Sequence, residues 1–108
     1  MSSKYVKIIV TVPVVNADVL RNAIGQAGGG KIGNYAFCSF STIGVGRFLP
    51  NENANPTIGT AGSLEQVNEE RIEFNCARDI LTEVLQAIRD SHPYEEVALD
   101  IISLEDAP

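Results

Sequence analysis

The sequence predicts an α+β domain in which two helices cover one face of an antiparallel sheet. Two stretches alternate apolar and polar residues with the period of a strand, each runs directly into an amphipathic helical stripe, and the two halves read alike.

In the first strand, Val6, Ile8, Val10 and Val12 alternate with Tyr5, Lys7, Ile9 and Thr11, which makes one face strongly apolar. Asn16 is placed to cap a helix whose stripe, Val19, Leu20, Ala23, Ile24 and Ala27, stops at Gly28. Extended structure is expected from about Asn34 to Thr42, where Tyr35, Phe37, Cys38 and Phe40 cluster, with Gly44 to Pro50 continuing it as a twisted or bulged ribbon. Asn51 to Ser63, with Pro56, Gly59 and Gly62 among Asn and Thr, reads as a loop. A loop of that length in a compact domain is functional, mobile or covered by a neighbouring subunit.

Ile72, Phe74 and Cys76 alternate with Arg71, Glu73 and Asn75 as a further strand. Ile80, Leu81, Val84, Leu85 and Ile88 then repeat the helical stripe, which ends before Pro93, and Val97 to Leu104 forms the last strand. The order β-α-β-β-α-β is the ferredoxin-like split arrangement, spanning residues 1–108 as one domain. Tyr5, Ile9, Ala98, Ile102 and Leu104 share the parity of the face that the helices leave open. An apolar open face exceeds what a monomer tolerates and implies an oligomer packed through the sheet.

With 44% hydrophobic residues the 108-residue chain has the composition of an ordinary globular domain. Its net charge of −6 argues against nucleic acid and anionic membranes, which need clustered Lys and Arg. Small molecules, cations and other protein subunits fit better. The apolar run from Val6 to Val15 between basic residues imitates a signal peptide, but its alternating β-branched content ending at Pro13 suits a strand. No segment reaches the ~18 apolar residues of a membrane span. Cys38 and Cys76 lack CxxC spacing and lie in stretches that read as strands, so both are expected to be buried and unpaired, which fits a reduced, cytoplasmic protein.

Two motifs resemble chemistry. Gly25 to Lys31 matches the start of a phosphate loop, and Gly28, Gly30 and Gly33 match G-x-G-x-x-G. A phosphate loop runs from strand to helix, whereas here the helix comes first, so the glycines are expected to end it and turn the chain. His92-Pro93-Tyr94-Glu95-Glu96 is the densest reactive group. Pro93 holds His92 extended, and imidazole with two carboxylates can ligate a divalent metal ion or act as acid and base. The structural reading is that Pro93 stops the helix, Tyr94 packs with its hydroxyl satisfied and the acids face water. Glu65, Glu69, Glu70, Glu73, Asp90, Asp100, Glu105 and Asp106 form no single pattern, and most are expected to be solvated. No serine lies in a nucleophile elbow.

The stretches Gly30 to Tyr35, Cys38 to Phe40, Gly44 to Pro50, Ala54 to Gly59, Arg71 to Glu73 and His92 to Ala98 together resemble the domain inserted in Nif-three-like proteins. That domain is similar in fold to the PII signalling proteins and to CutA, and the His-Pro-Tyr-Glu run is similar to one in CutA. The resemblance implies a PII/CutA-like homotrimer with ligand-binding residues Asn34, Tyr35 and Tyr94 and a metal site of His92, Glu95 and Glu96. Phe37 stands where the family often has His, which weakens a metal site using that position. Full-length relatives carry a dinuclear metal centre in flanking domains whose residues are not among these, so a hydrolase or GTP-cyclohydrolase activity is not expected to transfer. The expected function is a trimeric module binding a small ligand or divalent cation at subunit clefts lined by Asn51 to Ser63 and the His92 segment. The alternatives are a protein-assembly module, and an enzyme using His92 and Glu95 as acid and base. His92 is expected to lie at or near a cleft and to contribute more to ligand or metal binding than to stability, with His92→Ala leaving folding nearly intact.

Overall fold

The computed structural model of the protein describes residues 4–105; Asp106 lies outside them. Strand β1 (Tyr5–Pro13) passes through a 3-10 turn (Val14–Asn16) into helix α1 (Ala17–Gln26). Strands β2 (Phe40–Phe48) and β3 (Glu65–Ala77) follow, and β3 passes through a second 3-10 turn (Arg78–Ile80) into α2 (Leu81–Ser91) and then β4 (Leu99–Ser103). The two strand–turn–helix units are the similar halves expected from the sequence.

All pairings are antiparallel and the sheet order is β2-β3-β1-β4. Alternation decides which face is buried. Val6, Ile8, Val10 and Val12 are fully buried and stand opposite Cys76, Phe74, Ile72 and Glu70 of β3. Leu20 and Ile24 of α1 and Val84 and Ile88 of α2 close the core over them. Each such side chain taken from water contributes about 1.5–3 kcal/mol.

The glycine run stops α1. Gly29 N–H donates to the Ile24 carbonyl and Gly28 N–H to that of Gly25, the paired bonds of a Schellman cap, with Gly28 at φ 100°. Asn16 occupies the N-cap position of α1, but its side chain makes no capping bond.

Two expectations are corrected, the start of β2 and the character of the open face. Strand β2 begins only at Phe40, because Ile32 and Tyr35 exchange backbone hydrogen bonds across a tight turn and Phe37 takes a left-handed φ of 59° that breaks extension. Gly44 and Gly46 then pair in continuous register with β3, without a bulge. The open face is apolar on only part of the sheet. Tyr5 and Ile102 are 45% and 47% exposed there, but β3 presents Glu69, Arg71, Glu73 and Asn75 on the same side.

Candidate functional site

Pro93 ends α2, leaving His92 extended at φ −82° and ψ 136°, as the sequence requires. The ring does not turn outward. His92 is 6% exposed, and its Nε2 lies 2.7 Å from the Thr11 carbonyl oxygen of β1. A carbonyl can only accept, so Nε2 carries the hydrogen and Nδ1 is left to accept the Tyr94 N–H at 3.1 Å. Both ring nitrogens are engaged, and a metal would have to displace one of these bonds. The ring lies behind the segment that follows rather than in the wall of a cleft, as a buried tie between α2, β1 and that segment.

That tie carries residues 93–98 past the end of β1 onto the open face of the sheet. Tyr94 stacks edge-on against Phe48 with ring centroids 5.8 Å apart, and its hydroxyl donates to Glu69 Oε2 at 2.9 Å. Burial first, then the Glu69 hydrogen bond and the charges of Glu69 and Glu65, hold the Tyr94 phenol well above its ordinary range. Glu69, expected to be a solvated acid, is 8% exposed. It fits because Gly46 on the neighbouring strand has no side chain: a Cβ there would lie 1.9 Å from Glu69 Oε1.

The long loop folds over the same place. Its ends are joined by the Gly62 N–H to Pro50 carbonyl bond at 2.7 Å, which makes it a closed surface loop. Two further bonds pin it to the His92 segment: Asn55 N–H donates to Glu95 Oε1 at 2.9 Å, and Thr57 Oγ1 donates to the Pro93 carbonyl at 2.6 Å. Between loop, segment and sheet lies an open cavity of about 430 Å³. Phe48, Leu49, Pro50, Pro56 and Ile58 supply apolar wall, and Glu69, Glu95, Glu96, Arg47 and the Tyr94 ring supply the polar groups.

The structure thus brings Tyr94, Glu95 and Glu96 together with the loop and keeps His92 behind them as support. Asn34 and Tyr35 do not join them. They sit at the turn after α1, with Tyr35 74% exposed, and line no part of this cavity. Among the described residues no group of three His, Cys, Asp or Glu is close enough to hold a metal ion. Sequence reasoning missed Glu69 and Gly46, which act only as a pair across two strands. Both cysteines are free, Cys76 in the core and Cys38 half-buried beyond the end of α1. Among the described residues no helix is long and apolar enough to cross a membrane.

No protein-family model matches the chain. Over 102 residues it is 43% identical to a Mycobacterium tuberculosis protein named GTP cyclohydrolase 1 type 2 homolog, and 44% identical to the Bacillus subtilis protein of that name. Each match covers 94% of this chain and 27% of the relative, so the chain spans about a quarter of the length of the curated relatives it matches. A solved Bacillus cereus protein related to NIF3 superposes with a TM-score of 0.84 at 40% identity, over 98% of this chain and 27% of that one. The periplasmic divalent cation tolerance protein CutA from Archaeoglobus fulgidus superposes with a TM-score of 0.68 over 96% of this chain and 87% of its own; at 14% identity the likeness is one of fold. The chain is therefore homologous, over nearly its whole length, to one segment of these longer Nif-three-like proteins and has the fold of CutA.

Proposed function

We propose that this domain is a small-ligand-binding or regulatory module, acting as a homotrimer, whose ligand enters the cavity between the long loop and the His92–Ala98 segment. One observation carries the reading: two segments far apart in sequence are pinned to each other by side-chain hydrogen bonds around an apolar cavity of about 430 Å³ that holds a few polar groups. That volume lies within the range of small-molecule sites, roughly 300–1,000 Å³. The activity in the relatives' name belongs to proteins of which this chain spans about a quarter, and no acid–base pair with a free imidazole is present among the described residues to support it. A divalent cation is the less supported occupant, because His92 is engaged and Glu95 already accepts from the loop backbone.

The trimer is supported by the edge strand β2, where Phe40, Ile43 and Val45 are 66%, 75% and 46% exposed on a strand with one free edge. The same edge favours the second reading, an assembly module with no small ligand. Light scattering at micromolar concentration is expected to give three times the chain mass, and a persistent monomer would sink the trimer. Protein-observed NMR against a set of small apolar probes is expected to shift Ile58 and Gly46 resonances. Their immobility throughout would leave the assembly reading alone.

A further inference from the structure

Resting on that reading of the cavity, we propose that its ligand is a small organic cation: an ammonium or guanidinium group on an apolar body, with the charge set against Glu69. Three carboxylates, Glu69, Glu95 and Glu96, line the cavity against one basic side chain, the exposed Arg47 at its edge. Glu69 is the one that selects. It is 8% exposed, yet among the described residues no Lys, Arg or His lies within ion-pair distance of it. A hydroxyl hydrogen bond from Tyr94 reaches Oε2, while Oε1 receives no donor from the protein and keeps access to solvent from the cavity. A carboxylate with so little exposed surface and no counter-charge beside it is placed to attract a cation that enters the cavity and meets Oε1.

Gly46 keeps this oxygen in place on the sheet by leaving room beneath it. Beside it, Tyr94 and Phe48 form a T-shaped aromatic pair in the cavity wall, and an aromatic ring attracts a cation that approaches its face. The remaining wall, Leu49, Pro50, Pro56 and Ile58, has nothing to offer a hydrated metal ion and matches a hydrocarbon or ring. Charge and wall together therefore call for an amine with an apolar body. The chain's net charge of −6 adds a field that draws cations to the surface.

Three probes of one shape separate the contributions: 2-phenylethylamine, 2-phenylethanol and 3-phenylpropanoate, titrated at pH 7 into the full chain and followed by NMR and calorimetry, with Mn²⁺ as competitor. The amine is expected to bind about ten-fold or more tightly than the alcohol, and the propanoate more weakly than either. Glu69→Gln, which keeps an oxygen for the Tyr94 hydroxyl, is expected to erase the preference for the amine and leave the alcohol unchanged. Glu96→Gln, at an exposed position, is expected to weaken the amine about two-fold and the alcohol not at all. Equal binding of amine and alcohol overturns the cation while the cavity stands as a ligand site. Binding by none of the three overturns the cavity reading with it. Preference for the propanoate, or displacement of the amine by Mn²⁺, overturns the organic cation in favour of an anion at Arg47 or a metal ion.

Discussion

Replacing Gly46 by Ala is expected to destabilise the domain by about 1–2 kcal/mol, although Ala normally improves a strand by about 0.5–1 kcal/mol over Gly. The new Cβ would lie 1.9 Å from Glu69 Oε1 and 2.5 Å from its carboxyl carbon. The carboxylate is held from the other side by the Tyr94 hydroxyl at 2.9 Å, so it has to swing away and surrender that bond. A hydrogen bond to a charged group contributes about 1.5–3 kcal/mol, and subtracting the propensity gain leaves about 0.5–2.5 kcal/mol, a range centred on the stated loss. Urea denaturation of the wild type, Gly46→Ala, Tyr94→Phe and the double variant measures it. Both single changes remove one and the same bond, so the double variant should cost little more than the worse single, with a coupling of about 1 kcal/mol or more. A neutral or stabilising Gly46→Ala, or strict additivity in the cycle, would refute the claim that Gly46 exists to seat Glu69.

His92→Ala is expected to cost about 2–3 kcal/mol by denaturation, since it deletes two hydrogen bonds and leaves the Thr11 carbonyl without the donor it now has. A loss below about 0.5 kcal/mol would return the ring to a surface role. Thiol titration of the unfolded, unreduced protein should find two free thiols, and in the native state Cys38 should react first. Cys76 is buried and its thiol is pushed up by that burial, so faster reaction at Cys76 would contradict the core packing. At alkaline pH the raised Tyr94 phenol makes the folded state hold its proton more tightly than the unfolded chain. Stability from this group is complete below the unfolded value of about 10 and is lost as pH rises from there through the folded value. The loss should be smaller in Tyr94→Phe, measured as unfolding midpoint against pH, and an identical pH dependence in the two proteins would exclude the Tyr94–Glu69 bond as its source.

The fold was readable because period-two and helical patterns each state a face. Val6 to Val12 and Ile72 to Cys76 named the same buried layer, and the register that sets Ile8 opposite Phe74 adds only which strand lies beside which. The beginning of β2 was less readable. Tyr35 and Phe37 have strong strand preference, but the turn at Gly33–Asn34 and the left-handed Phe37 override it. A bulky residue at positive φ leaves no trace in composition. The Phe37 ring lies where a Cβ on Gly25 would be, 2.0 Å from its Cδ2, so this conformation is tied to a residue one helix away.

The candidate site divides along the same line. Pro93 made the extended His92 predictable, because the restriction acts between neighbours in the chain. Where the imidazole goes is decided by Thr11, and a backbone carbonyl that accepts a ring N–H has no residue-type signature. Glu69 shows the limit most clearly. Its place in β3 sets it on the open face with Arg71 and Glu73, where an acid ordinarily faces water. What buries it is Gly46 below, Tyr94 above and the loop beside them, elements contributed by three separate stretches of chain. A glycine in an edge strand reads by itself as a weakness in that strand. Its use becomes visible only once the β2–β3 register sets Gly44 opposite Glu69, with Gly46 the next residue on the same face, and the carboxylate is seen lying across it.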